Sequence, residues 1–232
     1  MAVDGANADV VLGVDVGTGS TRVLAVDASG AVLASATAAH RPASPHPGWS
    51  EQEPEEWWQA ARTALTEVAA QVGDRVVGLG LSGQMHGAVF LDGSGRSLRP
   101  APLWNDQRTA DACRTITALV GKQRVSEIAG NPVLTGFQAP KIVWLRENEP
   151  DVYDRVASVL LPKDFVRLCL TGERATDASD AAGTLLLDMG QRRWSRELLG
   201  ALDIPAEWLP DVYEGPEPAG ALRRDVAAEL GL

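Results

Sequence analysis

An apolar run, Val10, Val11, Leu12 and Val14, carries Asp15 into a turn of small residues, Gly17, Thr18, Gly19, Ser20 and Thr21. β-Branched and aliphatic side chains resume over 21–26, break at the DASG turn (27–30), and resume over 31–38. This pattern predicts a buried strand, a glycine turn and two further strands returning alongside. The proline-rich stretch 40–48 reads as a loop. Ser50 and Glu53 have capping-box spacing, and Pro54, Glu55 and Glu56 suit a first helical turn. Trp57, Ala61, Leu65 and Val68 recur at helical period and predict a helix to about Val72, stopped by Gly73 and Asp74. Residues 75–82 (RVVGLGLS) read as a buried strand. Three strands, a helix and a further strand indicate an α/β domain with a mixed sheet.

The buried strand delivers a second small-residue loop, Gly83, Gln84, Met85, His86 and Gly87. A short hairpin over 88–91 is expected to turn at DGSG (92–95). A polar cluster follows, Trp104, Asn105, Asp106, Gln107 and Arg108, in which Asp106 is expected to cap a helix over 107–119. The stretch 121–170 is mainly helical in pattern, with a helix opening near Pro140, a shorter one after Pro150, a strand over 156–161 and a helix over 164–170. The acidic, small-residue segment 176–184 (TDASDAAGT) reads as a loop and 185–188 as a strand. Ser195 is placed to cap a helix over 195–202, and 224–230 is a last amphipathic helix.

Composition narrows the class. The 232 residues are 45% hydrophobic and 22% charged, as in an ordinary globular protein. A net charge of −10 argues against a nucleic-acid or anionic-membrane surface. Two cysteines, Cys113 and Cys169, are too few for a disulfide framework and suit a reducing cytosol, and no apolar run reaches membrane-spanning length. Residues 1–8 lack a cationic start and an apolar core, so a short frayed tail and a cytoplasmic protein are expected. Tryptophan supplies seven of the twelve aromatic residues, more than a core requires, so some are expected at a site.

The chemistry begins at the first turn. Glycines let successive N–H groups face one concavity suited to phosphate oxygens, hydroxyls of Thr18, Ser20 and Thr21 add donors, and Asp15 could hold a hydrated Mg²⁺ beside them. The P-loop is excluded because neither its lysine nor its helix follows; the dinucleotide fingerprint is excluded because Arg22 and a strand stand where a glycine and a helix belong. An ordinary hairpin bearing an aspartate remains open on this motif alone. His86 reads either as a hydrogen-bonded loop histidine or as a ligand donor. Trp104, Asn105, Asp106 and Arg108 read either as a capped helix start or as a polyol platform with donors and acceptors.

Taken in order, GVDVGTGSTR, GLSGQMHG, LWNDQR, GFQAPKIVWLRENEP, LLPKDFVRL and TDASDAAGT resemble the FGGY family of carbohydrate kinases over residues 9–232. QMHG with WND and LLPKD is similar to its xylulokinase branch. Gln138 stands where that family usually has a small hydroxyl residue or proline. The resemblance implies an RNase H-like, actin-like ATPase domain with a mixed sheet flanked by helices, the sugar-binding first domain of two. It implies ATP and Mg²⁺ as cofactors and D-xylulose as substrate. Asp15 would organise Mg²⁺; Gly17, Thr18, Gly19 and Ser20 would face the nucleotide phosphates; Met85 and His86 would contact the sugar, with Trp104, Asn105 and Asp106 nearby. The general base, an aspartate of a GGGD-type motif, and the C-terminal nucleotide-binding domain are expected beyond residue 232, so that this chain alone would be inactive. Another FGGY sugar or polyol kinase and a non-catalytic sugar-binding remnant stand as alternatives, with a homodimer among the partner states considered.

Overall fold

Alternation of small or exposed residues with apolar ones sets the first sheet. In the computed structural model, which describes residues 9–232, β1 (Val10–Val16) buries Val10, Leu12, Val14 and Val16 on one face. It pairs antiparallel with β2 (Ser20–Asp27), which pairs antiparallel with β3 (Val32–Ala39). The DASG turn forms as its residues dictate: the Asp27 carboxylate accepts from the Ser29 and Ala31 amides at 2.8 and 3.0 Å, and Gly30 takes a left-handed φ of +84°. The expected N-terminal tail, 1–8, lies outside the described residues.

After the loop, β4 (Glu51–Gln52) leads into α1 (Pro54–Val72) and β5 (Val76–Gly83). Trp57, Ala61, Leu65 and Val68 of α1 are buried with the inner residues of β1, β2 and β3 in one core. β5 runs parallel to β1, so the sheet is mixed, in the order β3-β2-β1-β5. The expected capping box does not form: Glu53 precedes α1 without a side-chain cap, and the Ser50 amide donates instead to Asp106 Oδ2 at 2.7 Å. Pro54, which has no N–H to satisfy, and the acidic Glu55 and Glu56 suffice to start the helix. β5 is also less buried than its pattern suggested. It is an edge strand, with Val77 63% exposed.

The remaining elements, in order, are β6 (Val89–Leu91), β7 (Ala101–Pro102), α2 (Ala110–Val120), α3 (Lys122–Ala129), α4 (Gln138–Asn148), α5 (Pro150–Tyr153), β8 (Ser158–Leu160), α6 (Pro162–Thr171), β9 (Ala175–Asp177), α7 (Ala178–Ala181), β10 (Leu187–Asp188), β11 (Arg193–Trp194), α8 (Arg196–Leu202), β12 (Asp211–Tyr213) and α9 (Arg224–Leu230). Phe90, Ile116, Ile142, Val159 and Leu198 belong to a second core beside the first. The DGSG turn forms around Asp92, yet β6 pairs along its length with β8 and only bridges back at Ser97. Segment 176–184 is not a loop. It ends β9 and becomes α7 and a 3-10 turn, because Asp177 accepts from the Ser179 and Asp180 amides and caps the helix. Ser195 caps α8 as expected, accepting from the Leu198 amide.

Candidate functional site

Parallel pairing of β1 with β5, in register Asp15 to Ser82 and Val16 to Gly83, brings the first turn and the QMHG loop side by side at the carboxyl ends of both strands. The Gln84 amide donates to Val16 O at 2.8 Å, and Gln84 Nε2 donates to Gly17 O at 3.3 Å. In the turn itself the Gly17 amide donates to Ser20 O at 3.0 Å. The Gly17 amide is therefore engaged in closing the hairpin, so that Gly17 can face a phosphate only through its lack of a side chain. A Cβ on Gly17 would sit 3.0 Å from Ser20 O, a tight contact that glycine avoids. The amides of Thr18 and Gly19 have no protein acceptor among the described residues, and the space above Gly19 is open. Ser20 already belongs to β2.

The turn is braced from below. Trp57 Nε1 donates to Gln52 Oε1, Gln52 Nε2 to His40 Nδ1 at 2.7 Å, and His40 Nε2 in turn to the buried Thr21 hydroxyl at 3.2 Å. The His40 amide donates to Gly19 O at 3.1 Å. Burial holds the His40 ring below its ordinary pKa.

His86 occupies the left-handed region, φ +64°, a conformation that a non-glycine residue adopts at a cost and that must be held by its surroundings. Three contacts hold it. Its Nδ1 lies 2.8 Å from Gly183 O; a carbonyl only accepts, so Nδ1 carries the proton and Nε2 is a lone-pair acceptor. Phe137 packs against the ring, centroids 4.7 Å apart. Lys141 Nζ donates to His86 O at 2.7 Å. Burial lowers the pKa of His86; the Gly183 carbonyl opposes the shift and Lys141 adds to it. Met85, beside it, is 49% exposed.

Trp104 reaches the first turn directly: its Nε1 donates to Thr18 Oγ1 at 3.1 Å. Trp104 and Asn105 are exposed, whereas Asp106 is fully buried. Asp106 is therefore not an open sugar-facing group, and it caps no helix at Gln107; α2 begins at Ala110. Its carboxylate accepts from the Ser50 amide, the Arg108 amide and the Arg108 guanidinium at 2.7–3.0 Å. Arg108 also meets Glu51 at 2.7 Å and lies 3.6 Å over the Trp49 ring. Asp106 and Arg108 thus fix the segment on which Trp104 stands, and Trp49 belongs to that network.

Asp15 is exposed on the face of β1 away from α1, opposite Arg22 of β2. Among the described residues no group of three or more His, Cys, Asp or Glu side chains could hold a metal unaided. Mg²⁺ keeps several waters and is commonly held by one or two carboxylates plus phosphate oxygens, so a lone exposed carboxylate fits it as a partial ligand.

Several residues at this site went unread in the sequence: Gln84, Phe137, Lys141, Gly183, and the His40–Gln52 pair. Lys141 carried a signal, a cation inside the apolar run APKIVWL with no acid within one helical turn. Gly183 carried none. A Cβ there would fall 2.4 Å from His86 Nδ1, a contact known only once 176–184 is folded.

Residues 10–232 match the model of the FGGY family of carbohydrate kinases, N-terminal domain. The chain is 45% identical over 222 residues to a xylulose kinase of Escherichia coli strain K12, covering 95% of this chain and 46% of that protein. It is 42% identical over 225 residues to a xylulose kinase of Lactococcus lactis, covering 96% and 45%. The crystal structure of xylulose kinase from Rhodospirillum rubrum superposes with a TM-score of 0.92 at 31% identity, over 96% of this chain and 46% of that one. The chain spans about half the length of the relatives it matches.

Proposed function

This chain belongs to the FGGY family of carbohydrate kinases, and from that premise we propose that it is the sugar-binding part of a xylulokinase, which transfers the γ-phosphoryl group of ATP to D-xylulose. The observation that carries this reading is the meeting of three motif segments at one strand end: Trp104 bonded to Thr18, and Gln84 of the QMHG loop bonded to Gly17. Ligand sites at the carboxyl ends of parallel strands are the general expectation for open α/β sheets.

The residues divide the work. His86 offers Nε2 as an acceptor to one sugar hydroxyl, Met85 and Trp104 give the carbon skeleton an apolar surface, and Asn105 adds donor and acceptor capacity. The Thr18 hydroxyl accepts from Trp104 and so keeps its own proton for a phosphoryl oxygen, as do the unengaged Thr18 and Gly19 amides. Asp15 would hold Mg²⁺, which when bound neutralises developing charge on the phosphoryl oxygens. Catalysis of this kind is mostly positioning, so a rigidly held His86 and turn matter more than strong acids or bases. The adenosine site and the aspartate that accepts the hydroxyl proton are assigned to the part of the relatives' length that this chain does not span.

Isothermal titration tests the reading. D-xylulose should bind with xylose and gluconate as weaker competitors, and His86→Ala should weaken it about tenfold, the worth of one hydrogen bond in a partly buried site. Equal binding of all three, or unchanged affinity in His86→Ala, would refute it. Robust xylulose 5-phosphate formation by this chain alone would refute the assignment of the base elsewhere.

A further inference from the structure

Lys141 is a fully buried cation near the site, 0% exposed in the body of α4. Its Nζ donates to two backbone carbonyls, His86 O at 2.7 Å and Gly136 O at 2.5 Å. These belong to two different walls. His86 sits in the QMHG loop with a left-handed backbone, while Gly136 lies against Trp104 so closely that a Cβ would come within 2.7 Å of Trp104 O. One amine thus bridges the loop that presents the histidine and the segment that backs the tryptophan. We propose that Lys141 is a positioning residue for the sugar site, clamping the His86 and Gly136 carbonyls so that His86 keeps its Nδ1–H on Gly183 and turns Nε2 outward.

The inference rests on the sugar-site reading above for its functional consequence, but its geometry stands apart from it. Two acceptors match the two N–H bonds of a neutral amine; a third N–H would have no partner among the described residues. Burial drives Lys141 the same way, pushing it down to about 7 against the attraction of Asp106. Arg108, beside Asp106, adds to the lowering, and Cys113 on α2 opposes it.

Nitrogen-15 spectra of the histidine rings test this without any sugar, since the chain has only His40, His46 and His86. The unaltered chain should show His86 as the Nδ1–H tautomer. In Lys141→Met it should lose that tautomer and its titration midpoint should rise, while Lys141→Gln, which keeps two N–H donors, should preserve both. D-xylulose affinity should fall about tenfold in Lys141→Met and about threefold or less in Lys141→Gln, the difference between losing and keeping the donors. A folded Lys141→Met with an unchanged His86 spectrum overturns the clamp. Should Lys141→Met fail to fold, the unaltered chain decides: the Lys141 Nζ resonance should be that of an amine above pH 8, and His86 shifts should move with its midpoint. Independent titration of the two overturns the proposal. A shifted His86 spectrum in a chain that binds no D-xylulose would keep the clamp and remove the sugar reading.

Discussion

His86 concentrates the chemistry of the site in one ring whose proton location is settled by a carbonyl. Its folded pKa is lowered by burial, so between that value and the ordinary 6.5 the unfolded chain binds the proton more readily than the folded one. Stability attributable to His86 is therefore full above 6.5 and declines as pH falls through the window below it. Protonation also turns Nε2 from acceptor to donor, which mismatches a hydroxyl arranged to donate to it. D-xylulose affinity should accordingly be level above neutrality and decline on acidification below 6.5, measured by titration calorimetry across pH. An affinity that grows on acidification would contradict the tautomer assigned here. His86 itself was legible from its setting, a lone histidine in a glycine-flanked loop after a strand. Its tautomer was not, because Gly183 lies 97 positions away in sequence.

Among the elements, α6 matters beyond its place in the core. Its first residue, Pro162, packs on Gly87, where a Cβ would lie 2.6 Å from the proline ring. Gly87 is thus required by contact rather than by conformation. Gly87→Ala should force the QMHG loop off α6, costing about 1–3 kcal/mol as overpacking does, visible as a lower denaturant midpoint together with weakened sugar binding. An alanine variant of full stability and affinity would show that the loop is not seated on α6. Local rules located most elements, and where they failed a distant partner was the cause. Ser50 and Glu53 had the spacing of a capping box, but Asp106 draws the Ser50 amide to itself. Asp106 had the look of a cap at Gln107, but Arg108, with 1% side-chain exposure, demands its charge.

At the scale of the whole molecule, a groove lies apart from the candidate site. The groove, of about 1020 Å³, follows β5 from Val76 to Gly83 and is closed on its far side by residues 213–222 and Leu232. Its floor is the edge strand of the sheet, with Val77 63% exposed. Open edges with apolar side chains template association. The chain should self-associate reversibly in sedimentation despite its net charge of −10, and Val77→Lys should reduce that association while leaving sugar binding unchanged. Concentration-independent monomers in the parent chain would remove the argument. The expectation of a buried strand at 75–82 missed this edge, since an apolar run looks alike on an edge strand and on an inner one.

Alternation, helical periodicity and turn residues already specified the α/β class, the strand–turn–strand opening and the positions of its two small-residue loops, because these depend on neighbours within a few residues. The ordered motifs likewise named the family. Only folding decided which groups act together: that β1 and β5 lie in register, that Trp104 meets Thr18, that Asp106 is a buried partner of Arg108, and that Lys141 holds His86. All but the Asp106–Arg108 pair join segments tens of residues apart, and that pair is buried only because Ser50 and Glu51 are brought against it. A buried charge or a ring tautomer is set by whatever partner the packing brings to it, a matter on which local composition carries no information.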